Sequence, residues 1–151
     1  NARFFTVYGP RQRPDLAIHK FVRLLRAGRP IPVYGDGSTA RDYTYVLDIV
    51  DGIARGVEYL LQHQDVYETI NLGNHHPVSL LDLIQAIGQT LHLEPQLDFQ
   101  ALQAGDVEVT YADIGKAQTL LGYAPRTSLP DGLRSFVQWL DTVSIPAGLP
   151  A

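Results

Sequence analysis

With 151 residues, 45% hydrophobic content and 12 Lys and Arg against 16 Asp and Glu, the chain has the material for one compact α/β unit with a sizeable core. A formal net charge of -4 argues against nonspecific nucleic-acid binding, and the lack of cysteine removes disulfides and thiolate metal sites. No run of residues approaches the length and apolarity of a membrane span.

In chain order, Arg3 to Tyr8 reads as an apolar, aromatic strand that Gly9-Pro10 ends with a turn, releasing the loop Arg11 to Asp15. Between Asp15 and Gly28 the apolar residues Ile18, Phe21, Val22 and Leu25 follow helical spacing, Gly28 with Pro30 supplies the stop, and the amino-terminal turn of this helix is expected to face a ligand. Ile31 to Tyr34 is a short extended segment and Gly35 to Ser38 a turn, since glycine tolerates positive φ and Asp or Ser can bond the turn's own backbone. Arg41 to Val46 alternates as a second strand, and Asp48 is expected to cap a helix with Ile49, Val50, Ile53, Val57 and Leu60 on one face. Tyr67 to Leu72 forms another extended run, and Ser79 with Asp82 resembles a capping box opening a helix through Leu83, Ile84 and Ile87. Gln96 to Gln100 alternates as an edge strand, Asp113 is expected to cap a short helix stopped by Gly122, and Ser128 with Asp131 starts a last helix. Residues 145–151, with two prolines and a glycine, read as a tail, and no interior linker divides residues 1–144 into independent domains.

Within IPVYGDGSTARDYTYVLDIVDG, Arg41 stands between a glycine turn and an aromatic strand, where a guanidinium can grip a phosphate with two parallel hydrogen bonds. The residues alone leave a surface arginine paired with Asp36 or Asp42 as the other reading. His75-His76 does not build a metal site, because adjacent histidines on a turn point apart and His19, His63 and His92 complete no ligand spacing.

Four runs, RFFTVYGPRQRPD, IPVYGDGSTARDYTYVLDIVDG, INLGN and AGDVEVTYADIGKAQTLLGY, occur in the order and approximate spacing of the second half of extended short-chain dehydrogenase/reductase enzymes. The chain most resembles the NAD-dependent UDP-glucuronate 4-epimerases and neighbouring nucleotide-sugar epimerases. The resemblance implies the carboxyl-terminal part of a Rossmann-type fold with its smaller substrate-binding domain, the strands at 3–8 and 67–72 belonging to the dinucleotide-binding sheet. Two such strands without their neighbours would leave an open edge and an uncovered apolar face, which invite self-association. The sequence contains neither G-x-x-G-x-x-G nor Tyr-x-x-x-Lys, so no catalytic residue is assigned here and the chain is expected to be inactive without an amino-terminal half.

By the resemblance, Thr6 would lie beside the sugar and its phosphates, near the substrate carboxylate, unless it is an ordinary strand threonine. Arg13 would approach the bound nucleotide sugar from its loop. Val33 and Tyr34 would pack on the uracil, Tyr34 with its π face, and Arg41 would bind the diphosphate. Asp106 would accept hydrogen bonds from the ribose; Leu102-Gln103 stands where many members carry an arginine. Phe4 and Val7 would line the nicotinamide side of an NAD pocket. In the intact enzyme a tyrosinate would take the proton of the sugar 4-hydroxyl as NAD removes the C4 hydride, and the 4-keto sugar would turn before the hydride returns. Expected partners are a UDP-sugar, the amino-terminal half and a possible second copy, in the cytoplasm, with no nucleic acid and no membrane. A noncatalytic UDP-sugar-binding module, and a dehydratase or decarboxylase on the same scaffold, are the alternatives.

Overall fold

The computed structural model describes residues 1–102, 105 and 107–143; the expected tail at 145–151 and Asp106 lie outside the described residues. In chain order the elements are β1 (Ala2–Phe4), β2 (Thr6–Tyr8), α1 (Ala17–Arg26), β3 (Ile31–Tyr34), β4 (Ala40–Tyr45), α2 (Val46–Gln62), β5 (Ile70–Leu72), β6 (Pro77–Ser79), α3 (Leu80–Leu91), β7 (Leu97–Gln100), α4 (Gly115–Leu121) and α5 (Leu129–Thr142).

The strand expected over 3–8 is divided at Phe5, and its two pieces join different sheets. β1 pairs in parallel with β5, Phe4 opposite Leu72. β2 pairs in parallel with β4, Thr6 opposite Tyr43 and Tyr8 opposite Tyr45. β6 adds to the other edge of β4 antiparallel, Arg41 opposite Val78, and β3 pairs separately with β7 in parallel. Parallel pairing of segments so far apart in sequence needs helical crossovers, which α1 and α2 supply.

Two apolar clusters flank β4. The larger joins Tyr8, Tyr43 and Tyr45 to Ile18 and Val22 of α1, Ile84 and Ile87 of α3 and Leu133 and Phe136 of α5. The smaller joins Ile49, Leu72, Ala112, Ile114, Ala117, Leu121 and Tyr123. The caps at α3 and α5 follow the sequence pattern: the Asp82 amide donates to Ser79 Oγ at 3.0 Å and the Asp131 amide to Ser128 Oγ at 3.3 Å. Gly122, with φ 61°, stops α4 in the left-handed region.

Two expected caps are corrected. β4 runs straight into α2, so the helix starts at Val46 with Tyr45 at its cap position and Asp48 lies inside the first turn. There the Asp48 carboxylate accepts the amides of Arg126 (3.2 Å) and Thr127 (3.1 Å), fastening the approach to α5. Asp113 accepts the amide of Gly115 at 2.9 Å, whereas Ile114 occupies the cap position of α4.

β4 also carries a fully buried carboxylate. Asp42 accepts hydrogen bonds from the amides of Asn74 (2.8 Å), His75 (3.0 Å) and Ala112 (3.0 Å), and from Thr44 Oγ1 at 3.3 Å. Gly73 makes the close approach possible, because a Cβ there would sit 2.3 Å from Ala112 Cβ and 3.0 Å from Asp42 Oδ2. Its carbonyl accepts from the Tyr123 hydroxyl at 3.0 Å. The outward face of α2, with Leu47, Val50, Ile53, Val57, Leu60 and Leu61, is exposed, as is every residue of β1. Among the described residues no helix is long and apolar enough to cross a membrane.

Gly73→Ala is expected to destabilise the fold by about 1–3 kcal/mol through this overpacking, read as a lower urea midpoint at unchanged slope. Gly56→Ala, in α2 with nothing within 4 Å of the new Cβ, is expected to move the midpoint the other way. Burial raises the pKa of Tyr8, Tyr43 and Tyr123. The native state therefore favours the neutral phenols, while the unfolded chain ionises them near pH ~10. Their contribution is fully present below that pH and lost as pH rises through the higher native values. Denaturation midpoints should show no loss from these groups up to about pH 9 and fall as pH rises above about 10, less steeply in Tyr8→Phe.

Candidate functional site

β3 and β4 belong to different sheets, and a cleft of ≈ 300 Å³ involves both, with the start of α1 as a further wall. Strand alternation decides what faces it. In β3, Ile31 and Val33 are fully buried while Pro32 and Tyr34 line the cleft; in β4, Arg41 and Tyr43 line it while Asp42 and Thr44 are buried together away from it. α1 contributes Ala17, Lys20 and Phe21 at helical spacing, with Asp15 just before it. The expected ligand-facing role of the amino-terminal turn of α1 thus coincides with a cleft wall.

The glycine turn sets the spacing of the walls. Gly35 and Gly37 adopt φ 69° and 79°, and Asp36 accepts both the amide (2.9 Å) and the hydroxyl (2.6 Å) of Ser38. The Ser38 hydroxyl, followed by its amide, lowers the pKa of Asp36. Asp36 therefore serves the turn. Asp42, next to Arg41 in sequence, lies on the opposite strand face, so neither carboxylate matches the ion-pair partner that the sequence left open.

Arg41 Nη1 donates to the carbonyls of Ala40 (2.9 Å) and Val107 (2.6 Å). The segment it holds is bonded along the start of β4: the Ala40 amide donates to the Glu108 carbonyl at 2.8 Å and the Thr110 amide to the Ala40 carbonyl at 3.1 Å. A ligand gripped by Arg41 would meet this segment as well. Burial raises the pKa of Tyr43, and the neighbouring Arg41 charge works in the opposite direction.

The remaining expected residues take varied places. Thr6 is half-buried and shares the sheet face of Tyr43 through their pairing. Arg13 is exposed and bonds Asp15 at 2.9 Å, reaching the cleft wall through that pair. Its loop is fixed by the His19 ring, whose Nδ1 lies 3.1 Å from the Gln12 carbonyl. Val33 is corrected: at 0% exposure its side chain is core, and only its backbone can approach a base. Val7 packs against the smaller cluster, and Phe4 is 49% exposed at the carboxyl end of β1, beside Leu72 at the carboxyl end of β5. Neither Phe4 nor Val7 lines the cleft that Arg41 shares. His75 holds the Ala112 carbonyl through Nδ1 at 3.0 Å, while Nε2 lies 3.3 Å from the Tyr111 hydroxyl. Asp15, Lys20, Phe21 and Tyr43 are not among the expected site residues, although Tyr43 follows Arg41 by the strand period and Lys20 follows Ala17 by the helical one.

Residues 1–136 match the family model described as GDP-mannose 4,6 dehydratase. The chain belongs to that family. Within the family's reach, the UDP-glucuronate 4-epimerase of Thermodesulfobacterium geofontis is 38% identical over 138 residues, covering 91% of this chain and 41% of that protein. UDP-glucuronate 4-epimerase 3 of Arabidopsis thaliana is 36% identical over 150 residues, covering 91% and 35%. The structure of Bacillus cereus UDP-glucuronic acid 4-epimerase in complex with UDP-glucuronic acid and NAD matches with a TM-score of 0.86 and 36% identity, over 93% of this chain and 44% of that one. These neighbours give the family member a Rossmann-type extended short-chain dehydrogenase/reductase fold. The chain spans less than half the length of the relatives it matches.

Proposed function

We propose that the chain is the nucleotide-sugar-binding, carboxyl-terminal half of an NAD-dependent epimerase that interconverts UDP-glucuronate and UDP-galacturonate at C4. The observation that carries this reading is the cleft in which Arg41 and Lys20 stand among the aromatic faces of Tyr34, Phe21 and Tyr43. Those groups suit a ligand with an anionic centre and a flat base. The relatives named above, which are UDP-glucuronate 4-epimerases, support the choice of sugar.

In this reading Tyr34 stacks on the uracil, Arg41 holds the diphosphate, and Thr6, on the face of Tyr43, meets the sugar carboxylate. Arg13 closes on the ligand by leaving Asp15, and Asp106 accepts from the ribose. The parallel ends of β1 and β5 fit a nicotinamide cofactor: Phe4 offers a half-exposed ring where α/β sheets take their ligands, and Phe5 bonds Leu72 across the pair. NAD, when bound there, supplies reversible acceptance of the C4 hydride. What this chain contributes is position. Binding energy from the nucleotide holds the sugar at the reacting centre, so Arg41 would affect turnover from a distance. A dehydratase is the second reading, favoured by the description of the matching family model.

Calorimetric titration of the purified chain tests the proposal. UDP should bind, and Arg41→Ala should weaken it at least ~10-fold, the scale of a lost charge-assisted pair. Unchanged UDP affinity in Arg41→Ala would contradict it.

A further inference from the structure

β7 carries the inner face of β3 out beyond the core. The two strands run in parallel with Ile31 opposite Leu97 and Val33 opposite Phe99, so these four side chains share one sheet face. On β3 that face is fully buried, whereas Leu97 is 39% and Phe99 58% exposed. Leu97 borders an open hollow of ≈ 920 Å³, whose other walls include Leu81, Ile84 and Gly88 of α3 and Leu93 and Pro95 after it. The backbone of β7 is open as well. Among the described residues β7 pairs with β3 alone. The amides of Ile31 and Gly35 donate to the carbonyls of Gln96 and Gln100 at 2.8 and 2.9 Å. The alternation of a parallel ladder then turns the amides and carbonyls of Leu97, Phe99 and Ala101 away from β3. Such edges are commonly blunted by proline, lysine or an inward-pointing charge. The only charge in Leu97–Gln100 is Asp98, which lies on the other face and accepts from Gln100 Nε2 at 2.8 Å.

We propose that the outer edge of β7 is a self-association surface, to which a second copy of the chain adds its own β7, antiparallel, about a two-fold axis at Phe99. Self-complementarity selects both the occupant and the register. With Phe99 opposite the partner's Phe99, the outward backbone groups of Leu97, Phe99 and Ala101 meet their counterparts and two exposed rings pair. Asp98 then faces the partner's Gln100, an acceptor opposite a donor, the same two side chains that already bond within one chain. Moving the axis to Asp98 would satisfy the backbone equally but set two aspartates against each other, in a chain whose net charge is already -4. The chosen register joins β3 and β7 of both copies into one four-stranded sheet and extends the apolar face beside the hollow. Because β7 has only 4 residues, the contact is short and the association weak and concentration-dependent. It uses no residue of the Arg41 cleft and none of the exposed face of α2, the other apolar surface open to a second copy.

Sedimentation equilibrium of the purified chain, taken up to the millimolar range, should show monomer and dimer in exchange. Phe99→Lys, which sets two cations at the axis, should raise the dissociation constant at least ~10-fold and leave the urea midpoint unchanged, since Phe99 is exposed in the single chain. The chain has no cysteine, so single cysteines report the register. Phe99→Cys should oxidise to a disulfide-linked dimer, because directly opposed residues that exchange hydrogen bonds lie about 5.5 Å apart, within the span of a disulfide. Asp98→Cys, opposite Gln100, and Val57→Cys, on the exposed face of α2, should not. A chain that stays monomeric, a dimer that survives Phe99→Lys, or a disulfide that forms more readily at position 98 or 57 than at 99 would overturn the proposal.

Discussion

A single buried carboxylate joins the parts of this molecule that its sequence keeps far apart. Asp42 in β4 takes the amides of Asn74 and His75 from the turn after β5 and the amide of Ala112 from the segment before α4. A charge at full burial is costly unless its lone pairs are satisfied, and here three backbone donors and the Thr44 hydroxyl satisfy them. The Asp42 bond to its amide accompanies a left-handed His75, φ 63°, a conformation that side chains other than glycine adopt infrequently. Gly73 and Tyr123 complete the joint, one by having no Cβ and the other by donating to the Gly73 carbonyl.

The cleft depends on that joint through the alternation of β4. With Asp42 fixed inward on one face, Arg41 and Tyr43 are committed to the other. Fixing Ala112 also anchors the far end of the segment whose near end Arg41 holds at Val107, and Ala40 bonds the residues between them. The fold thus binds the proposed diphosphate grip and the segment leading to Asp113 into one unit. Tyr8, paired with Tyr45 in the larger cluster, and Ile49 with Leu72 in the smaller, hold β4 from its two sides.

Local chemistry made much of this legible in the sequence. The Ser79 and Ser128 boxes follow from hydrogen bonds made within three residues, the Gly122 stop and the glycine turn before Arg41 from glycine's backbone freedom, and the structure repeats them. Capping chemistry points to Asp48 as the start of α2, because it carries no signal for a strand that runs without a break into a helix. The division of the first strand at Phe5 is hidden from local pattern because pairing partners 37 and 68 residues away decide it. Arg41 could be found from its neighbours and from family resemblance. Tyr43 follows Arg41 by the strand period, but Lys20 joins them only through the cleft that α1 and β4 share, and Asp42 looks like a surface partner for Arg41 because sequence adjacency hides opposite faces. Val33 shows the converse: a motif position can be right about the strand while its side chain belongs to the core.

The most direct test of this account is amide hydrogen exchange in Asp42→Asn, a near-isosteric change that removes the charge and half of the acceptor capacity. The amides of Asn74, His75 and Ala112 should lose protection together, with that of Thr110 following as the segment along β4 loosens. Unchanged protection at those amides would contradict the claim that this carboxylate holds the cleft in place.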